Sequence, residues 1–230
     1  TFTSGSDTIT INGAGGNETI TAPNLATTIN AGNGDNIIDG GAGADVMIGG
    51  SGNDVYMFST GDVASGESIT DSGGSADVVS IITTTDFANM PANSFNDIDQ
   101  IRFAGANQTG TFTGLQLTGE TLLLTETVAG TSNLIVNVGT GETATLNSIT
   151  ASTFTSGSDT ITINGAGGNE TITAPNLATT INAGNGDNII DGGAGADIIV
   201  GGSGDDVYRF NTNDVANGES ITDSGGSADV

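Results

Sequence analysis

Ala31–Met57 reads AGNGDNIID, GGAGADVMI, GGSGNDVYM, three nine-residue units in unbroken register. Each unit has glycine at its second and fourth places and Asn or Asp at its sixth (Asn36, Asp45, Asp54). The eighth place is large and apolar or aromatic (Ile38, Met47, Tyr56). Six Gly-rich residues make a tight turn, because only glycine takes positive φ without steric cost. Three residues of strand follow, with the middle side chain pointing inward. Two units complete one coil, so units two apart stack at about 4.8 Å. The pattern predicts an all-β chain folded as a parallel β-roll or β-solenoid.

That stacking brings the sixth-place carboxylates to nearly the strand spacing. Two such charges repel by about 0.9 kcal/mol even in bulk water. A divalent hard cation reverses the sign, and calcium accepts about six to eight oxygens from carboxylates and turn carbonyls. The turns therefore need a metal.

Outward from this stretch the register runs upstream. Its inward places are Ile20, Ile29, Ile38, Met47 and Tyr56, each nine apart. The unit at 13–21 has Glu18 at its sixth place, whereas APNLATTIN (22–30) has no acid and can form a coil but hardly a calcium turn. TFTSGSDTIT (1–10) is a degenerate unit around Asp7. Downstream, residues 56–81 loosen to a coil with irregular turns, where Glu67 precedes Ile69 by two and Asp77 precedes Val79 by two. Asp62 and Asp71 add carboxylates there.

Residues 1–78 recur as 153–230, and eight of the 78 paired positions differ. Between the copies, 82–152 has fewer acids and long Thr/Leu/Val runs. DFANMPANSF (86–95) predicts a helical turn, and strands are expected at 98–103, 110–119, 120–128, 133–138 and 143–150. The organisation expected is a roll over 1–81, a β-rich segment over 82–152 and a second copy over 153–230. The middle segment either extends the solenoid or folds as a small sandwich. Extension is preferred, since no flexible linker leads to Thr153.

The chain has 230 residues, 27 acids, two bases (Arg102 and Arg209) and neither His nor Cys, for a formal charge of −25. With no basic patch to neutralise phosphates, nucleic acid and anionic membranes are poor partners. No apolar run reaches the roughly 20 residues of a membrane span, so no membrane insertion is expected. Zinc-protease, thiol and Schiff-base chemistry lack their residues, and an enzyme is not expected. With no initiator Met, the chain reads as an internal or processed segment.

At Gly40–Met57 the units match GGxGxDxUx, and the stretch resembles the RTX (repeats-in-toxin) family of secreted calcium-binding β-roll proteins. DVYMF (54–58) followed by SGGSAD (72–77) resembles the exit of an RTX block. The resemblance covers 31–81 and 183–230 well, and 1–30 with 153–182 loosely. It implies an ion between turns two apart. The turn of Asp54 then pairs with that of Asn36, and the turn of Asp45 with Asp62 or Glu67, with Asp71 and Asp77 beyond. In the second copy it names Asp206 with Asn188, Asp197 with Asp214 or Glu219, and Asp223 beyond. Asn36 and Asn188 depart from the expected Asp, which implies weaker sites there. The resemblance further implies type I export, unfolded, and folding on extracellular calcium.

Two functions stay open. One is a calcium-stabilised structural module of a long bacterial surface or fibre-forming protein, such as an adhesin or surface layer, whose partners are neighbouring copies of itself. The other is the calcium-dependent secretion tail of an exported enzyme or toxin. A module duplicated almost unchanged suits reach and extension, with each copy contacting only its neighbours.

Overall fold

The computed structural model describes residues 9–155, 158–216 and 218–230, and Asp7 lies outside them. Along the first block run β1 (Ile9–Asn12), β2 (Thr19–Thr21), β3 (Thr27–Asn33), β4 (Ile37–Asp39), β5 (Val46–Ser51), β6 (Val55–Phe58), β7 (Ser68–Thr70) and β8 (Val78–Ile81). The odd-numbered strands form one parallel sheet and the even-numbered ones belong to a second. The register is that of the nonapeptide. Ile20 pairs with Ile38 and Ile38 with Tyr56, while Ile29 pairs with Met47 and Met47 with Ile69. A three-residue strand can bury only its middle side chain, and Thr19–Thr21 shows that alternation directly. Ile29, Ile38, Met47 and Tyr56 are fully enclosed, each aliphatic contributing about 1.5–3 kcal/mol by leaving water.

Residues 82–152 continue the coil. They hold β9 (Thr85–Asp86), a 3-10 turn (Ala92–Phe95), β10 (Gln100–Phe103), β11 (Thr109–Thr113), one helical turn α1 (Gly114–Leu117), β12 (Leu123–Glu126), β13 (Asn133–Asn137), β14 (Thr143–Thr145) and β15 (Thr150–Ala151). β10, β12 and β15 extend the second sheet, and β9 opens a third that continues through β11 and β13. The 3-10 turn packs against β7 and α1, and α1 packs against β14. The helical turns thus carry the row of the first sheet across to a fourth sheet beginning at β14. Here the coil has three sides and a wider interior, which large aromatics fill. Phe87 stacks on Phe112 at 4.6 Å, with Phe58 and Phe95 edge-on around them.

The expected strand at 110–119 ends at Thr113. Thr113 caps α1 in a capping box with Gln116, whose Nε2 donates to the buried carbonyls of Phe87 and Met90. The expected strand at 143–150 is two strands in different sheets, β14 and β15.

The second block holds β16 (Thr160–Asn164), β17 (Thr171–Thr173), β18 (Thr180–Asn182), β19 (Ile189–Asp191), β20 (Ile198–Val200), β21 (Val207–Arg209) and β22 (Ser220–Thr222). β16, β18, β20 and β22 continue the third sheet, and β17, β19 and β21 the fourth. The two blocks therefore use different faces for the same sequence. Thr28–Asn30 lies in β3, whose row leads through the helical turns to the fourth sheet, whereas its copy Thr180–Asn182 lies in the third. The passage through the middle moves the coil round by one face. From β1 to its copy β16 the chain climbs between six and seven rungs, about 32 Å at ~4.8 Å per rung. Among the described residues no helix is long and apolar enough to cross a membrane.

Candidate metal centre

Turns passing from the first sheet to the second share one edge of the first block, and returning turns share the other. A tight turn leaves its sixth-place N–H without a strand partner, and a buried N–H must find an acceptor. The acceptor is the sixth-place side chain one rung on. The Glu18 N–H donates to Asn36 Oδ1 at 2.9 Å, that of Asn36 to Asp54 Oδ1 at 2.7 Å, and that of Asp54 to Asp77 Oδ1 at 2.7 Å. The Asp77 N–H goes on to Asp99 Oδ2 at 2.8 Å. On the other edge the Thr27 N–H donates to Asp45 Oδ1 at 2.7 Å, and that of Asp45 to Glu67 Oε2 at 3.0 Å. Charge-assisted bonds of this kind anchor each carboxylate and dictate where its second oxygen points.

Those second oxygens are the chemistry of the site. Asp45 Oδ2 and Asp54 Oδ2 are buried and accept no hydrogen bond, as are their copies Asp197 Oδ2 and Asp206 Oδ2. A buried carboxylate is costly unless it is paired or coordinates a metal, and an anionic oxygen with no donor suits a hard cation.

Two clusters result in the first block. Around Asp45 lie Glu67, Asp62 and Asp39. Burial pushes Asp45 up to about 6 against the opposing Thr27 N–H, with Asp62 and Asp39 adding repulsion. Glu67 rises to about 8, again mainly by burial, with Asp45 and Asp62 contributing. Asp62 also clips its own loop, its Oδ2 accepting the Ser59 N–H at 2.5 Å. In the second cluster Asp54, Asp71 and Asp77 each bring an oxygen within 4.8 Å of the others. Burial raises Asp54, and raises Asp77 to about 6, with Asp71 adding repulsion to both. Tyr56 donates its hydroxyl to Asp71 Oδ2. Gly49 floors this cluster: a Cβ there would collide with the Tyr56 hydroxyl, Asp54 Oδ2 and Asp71 Oδ2.

The second block repeats the arrangement. Asp197 Oδ1 accepts from Thr179 at 2.8 Å, and the Asp197 N–H donates to Glu219 Oε2 at 3.2 Å. Burial pushes Asp197 up to about 7, with Glu219, Asp214 and Asp191 adding repulsion. Asp214 clips its own loop through the Asn211 N–H. Asp206 Oδ1 accepts from Asn188 at 2.8 Å, and Tyr208 donates to Asp223.

Among the described residues, five acids absent from the expected set join these ladders, among them Asp159, whose Oδ1 accepts the Ser132 N–H at 2.8 Å. Glu18 Oε2 and Glu170 Oε2 are buried and unpartnered, and their sixth place in the unit was the visible signal. Asp229 accepts the Asp206 N–H at 3.1 Å as the copy of Asp77. Asp99 extends the ladder from a segment without nonapeptides, so no spacing announces it.

A family model described as RTX calcium-binding nonapeptide repeat (4 copies) matches residues 25–56 and again 177–208. No curated protein and no solved structure matches the chain. Repeats of this family bind calcium, and several repeats take several ions. Residues 25–56 and 177–208 are thus RTX calcium-binding nonapeptide repeats, and the parallel coil they build supports an RTX β-roll family.

Proposed function

We propose that this calcium-binding structural domain is a shaft module of a long extracellular surface or fibre-forming bacterial protein, folding on calcium after export. The observation that carries this reading is the continuity of the second and third sheets across 82–152. Two nearly identical blocks are joined without a hinge, so a further period adds length along one axis rather than another bead on a string. RTX repeats are typical of extracellular, type I-secreted proteins, which supports the export half of the reading. Extracellular calcium modules bind at about 10⁻⁴–10⁻³ M, so cytosolic calcium leaves them unfilled and the acidic turns unclosed.

On the same reading the ions are held at Asp45 with Glu67 and Asp62, and at Asp54 with Asp71 and Asp77. The copies are Asp197 with Glu219 and Asp214, and Asp206 with Asp223 and Asp229. Calcium there supplies the positive charge that the buried oxygens lack. The partner of each module is the next copy of itself.

Electron microscopy of recombinant chains carrying increasing numbers of the 152-residue period tests this, with and without chelator. Rods should lengthen by about 32 Å per period in calcium and collapse in chelator. Particles that grow as jointed beads would sink the shaft, and an upstream catalytic domain in the complete gene product would favour the export tail.

A further inference from the structure

We propose that the turns of Asn36 and Asn188 close without an ion, each carboxamide nitrogen standing where an Asp turn presents a bare oxygen to calcium. These two residues would then set how many ions each block takes. In the turns of Asp45, Asp54, Asp197 and Asp206, one carboxylate oxygen accepts a backbone N–H and the other is buried without a partner. Asn36 is as deeply buried and its Oδ1 takes the same backbone role, accepting from Glu18 at 2.9 Å. Its other side-chain atom is a satisfied donor: Nδ2 gives a hydrogen bond to the Gly34 carbonyl at 2.9 Å. Asn188 repeats both bonds, with the Glu170 N–H at 2.9 Å and the Gly186 carbonyl at 3.0 Å.

The orientation of the amide is dictated by its partners. Turning it over would face Nδ2 to a backbone N–H and Oδ1 to a carbonyl, losing both bonds and opposing like groups. An ion at this turn would compete with an amide N–H donor already bonded to the Gly34 or Gly186 carbonyl, an oxygen that calcium would otherwise use. The same residue occurs at the same rung of both blocks, next to the buried acids Glu18 and Glu170. A neutral rung held by hydrogen bonds also gives each block one turn in register before any ion arrives.

The test is an ion count on the full chain by native mass spectrometry, with circular dichroism in calcium as the folding control. Asn36→Asp with Asn188→Asp should gain about one ion per block and leave the chelated chain less folded than the wild type. Asn36→Ala with Asn188→Ala should keep the wild-type count, and it decides the question alone if the Asp variant does not fold. An unchanged count in the folded Asp variant, or a lower count in the Ala variant, overturns the proposal while sparing the Asp sites. A wild-type chain that takes no calcium overturns it together with the calcium assignment of those sites.

Discussion

The hydroxyl of Tyr56 donates to Asp71 Oδ2 at 2.6 Å, tying the wall of one rung to the end of strand β7. Tyr56 is fully buried, and burial together with the carboxylate raises its pKa, so the proton stays on the phenol. The other oxygen of Asp71 accepts from Ser72 and Gly73. One residue thus reads as core and as part of the acidic cluster at once.

Tyr56→Phe keeps the packing and removes that bond to a charged acceptor. The folded chain in calcium should lose about 1.5–3 kcal/mol of stability, measured by urea unfolding. A loss near zero would mean that Asp71 is held by Ser72 and Gly73 alone.

Removing calcium from the whole chain should unfold the regular turns cooperatively, because the buried oxygens of Asp45 and Asp54 then have neither donor nor counter-ion. Circular dichroism in excess chelator, followed by calcium titration, checks this. Native-like spectra in chelator would show that the hydrogen-bonded ladders alone hold the coil.

Asp45→Asn with Asp197→Asn should act in opposite directions with and without calcium. An Asn at these turns can donate to its own turn as Asn36 does, so the chelated chain becomes more folded. In calcium the affinity should drop by more than the roughly 10–100-fold that loss of an outer-shell partner causes. Calorimetric titration beside a chelated melt separates the two effects, and parallel changes would contradict the assignment.

Acid should help the calcium-free chain and hurt the loaded one. Burial lifts Asp45 and Asp77 to about 6, Asp197 to about 7 and Glu67 to about 8, from ordinary values of 3.8 for Asp and 4.5 for Glu. The folded chain therefore binds protons more tightly than the unfolded one. Without calcium its stability should rise as pH falls from about 8 towards 4.5. Protons and calcium compete for the same oxygens, so calcium affinity should fall over the same window. Chelated melts and calcium titrations at pH 8, 7, 6 and 5 test both trends.

The coil itself was legible before any coordinates, because its information is local. A nine-residue turn and strand repeats its own instructions, so Ile20, Ile29, Ile38, Met47 and Tyr56 all face inward as the spacing requires. The acids at 45 and 54 were equally visible. Their hydrogen-bonding was not, since a sixth-place carboxylate meets a backbone N–H 18 residues away, in a different turn.

Spacing alone determined the period, the inward column and the need for a cation at the turns, since each depends on residues within one or two units. Tertiary structure decided the rest. β-propensity at 98–150 says that strands form but not which row they join, because that depends on packing against cross-strand neighbours distant in sequence. Only the assembled coil reveals that Phe87, Phe95 and Phe112 fill a three-sided middle, that GLQL at 114–117 turns as a helix to bridge two sheets, and that two copies of one sequence occupy different faces.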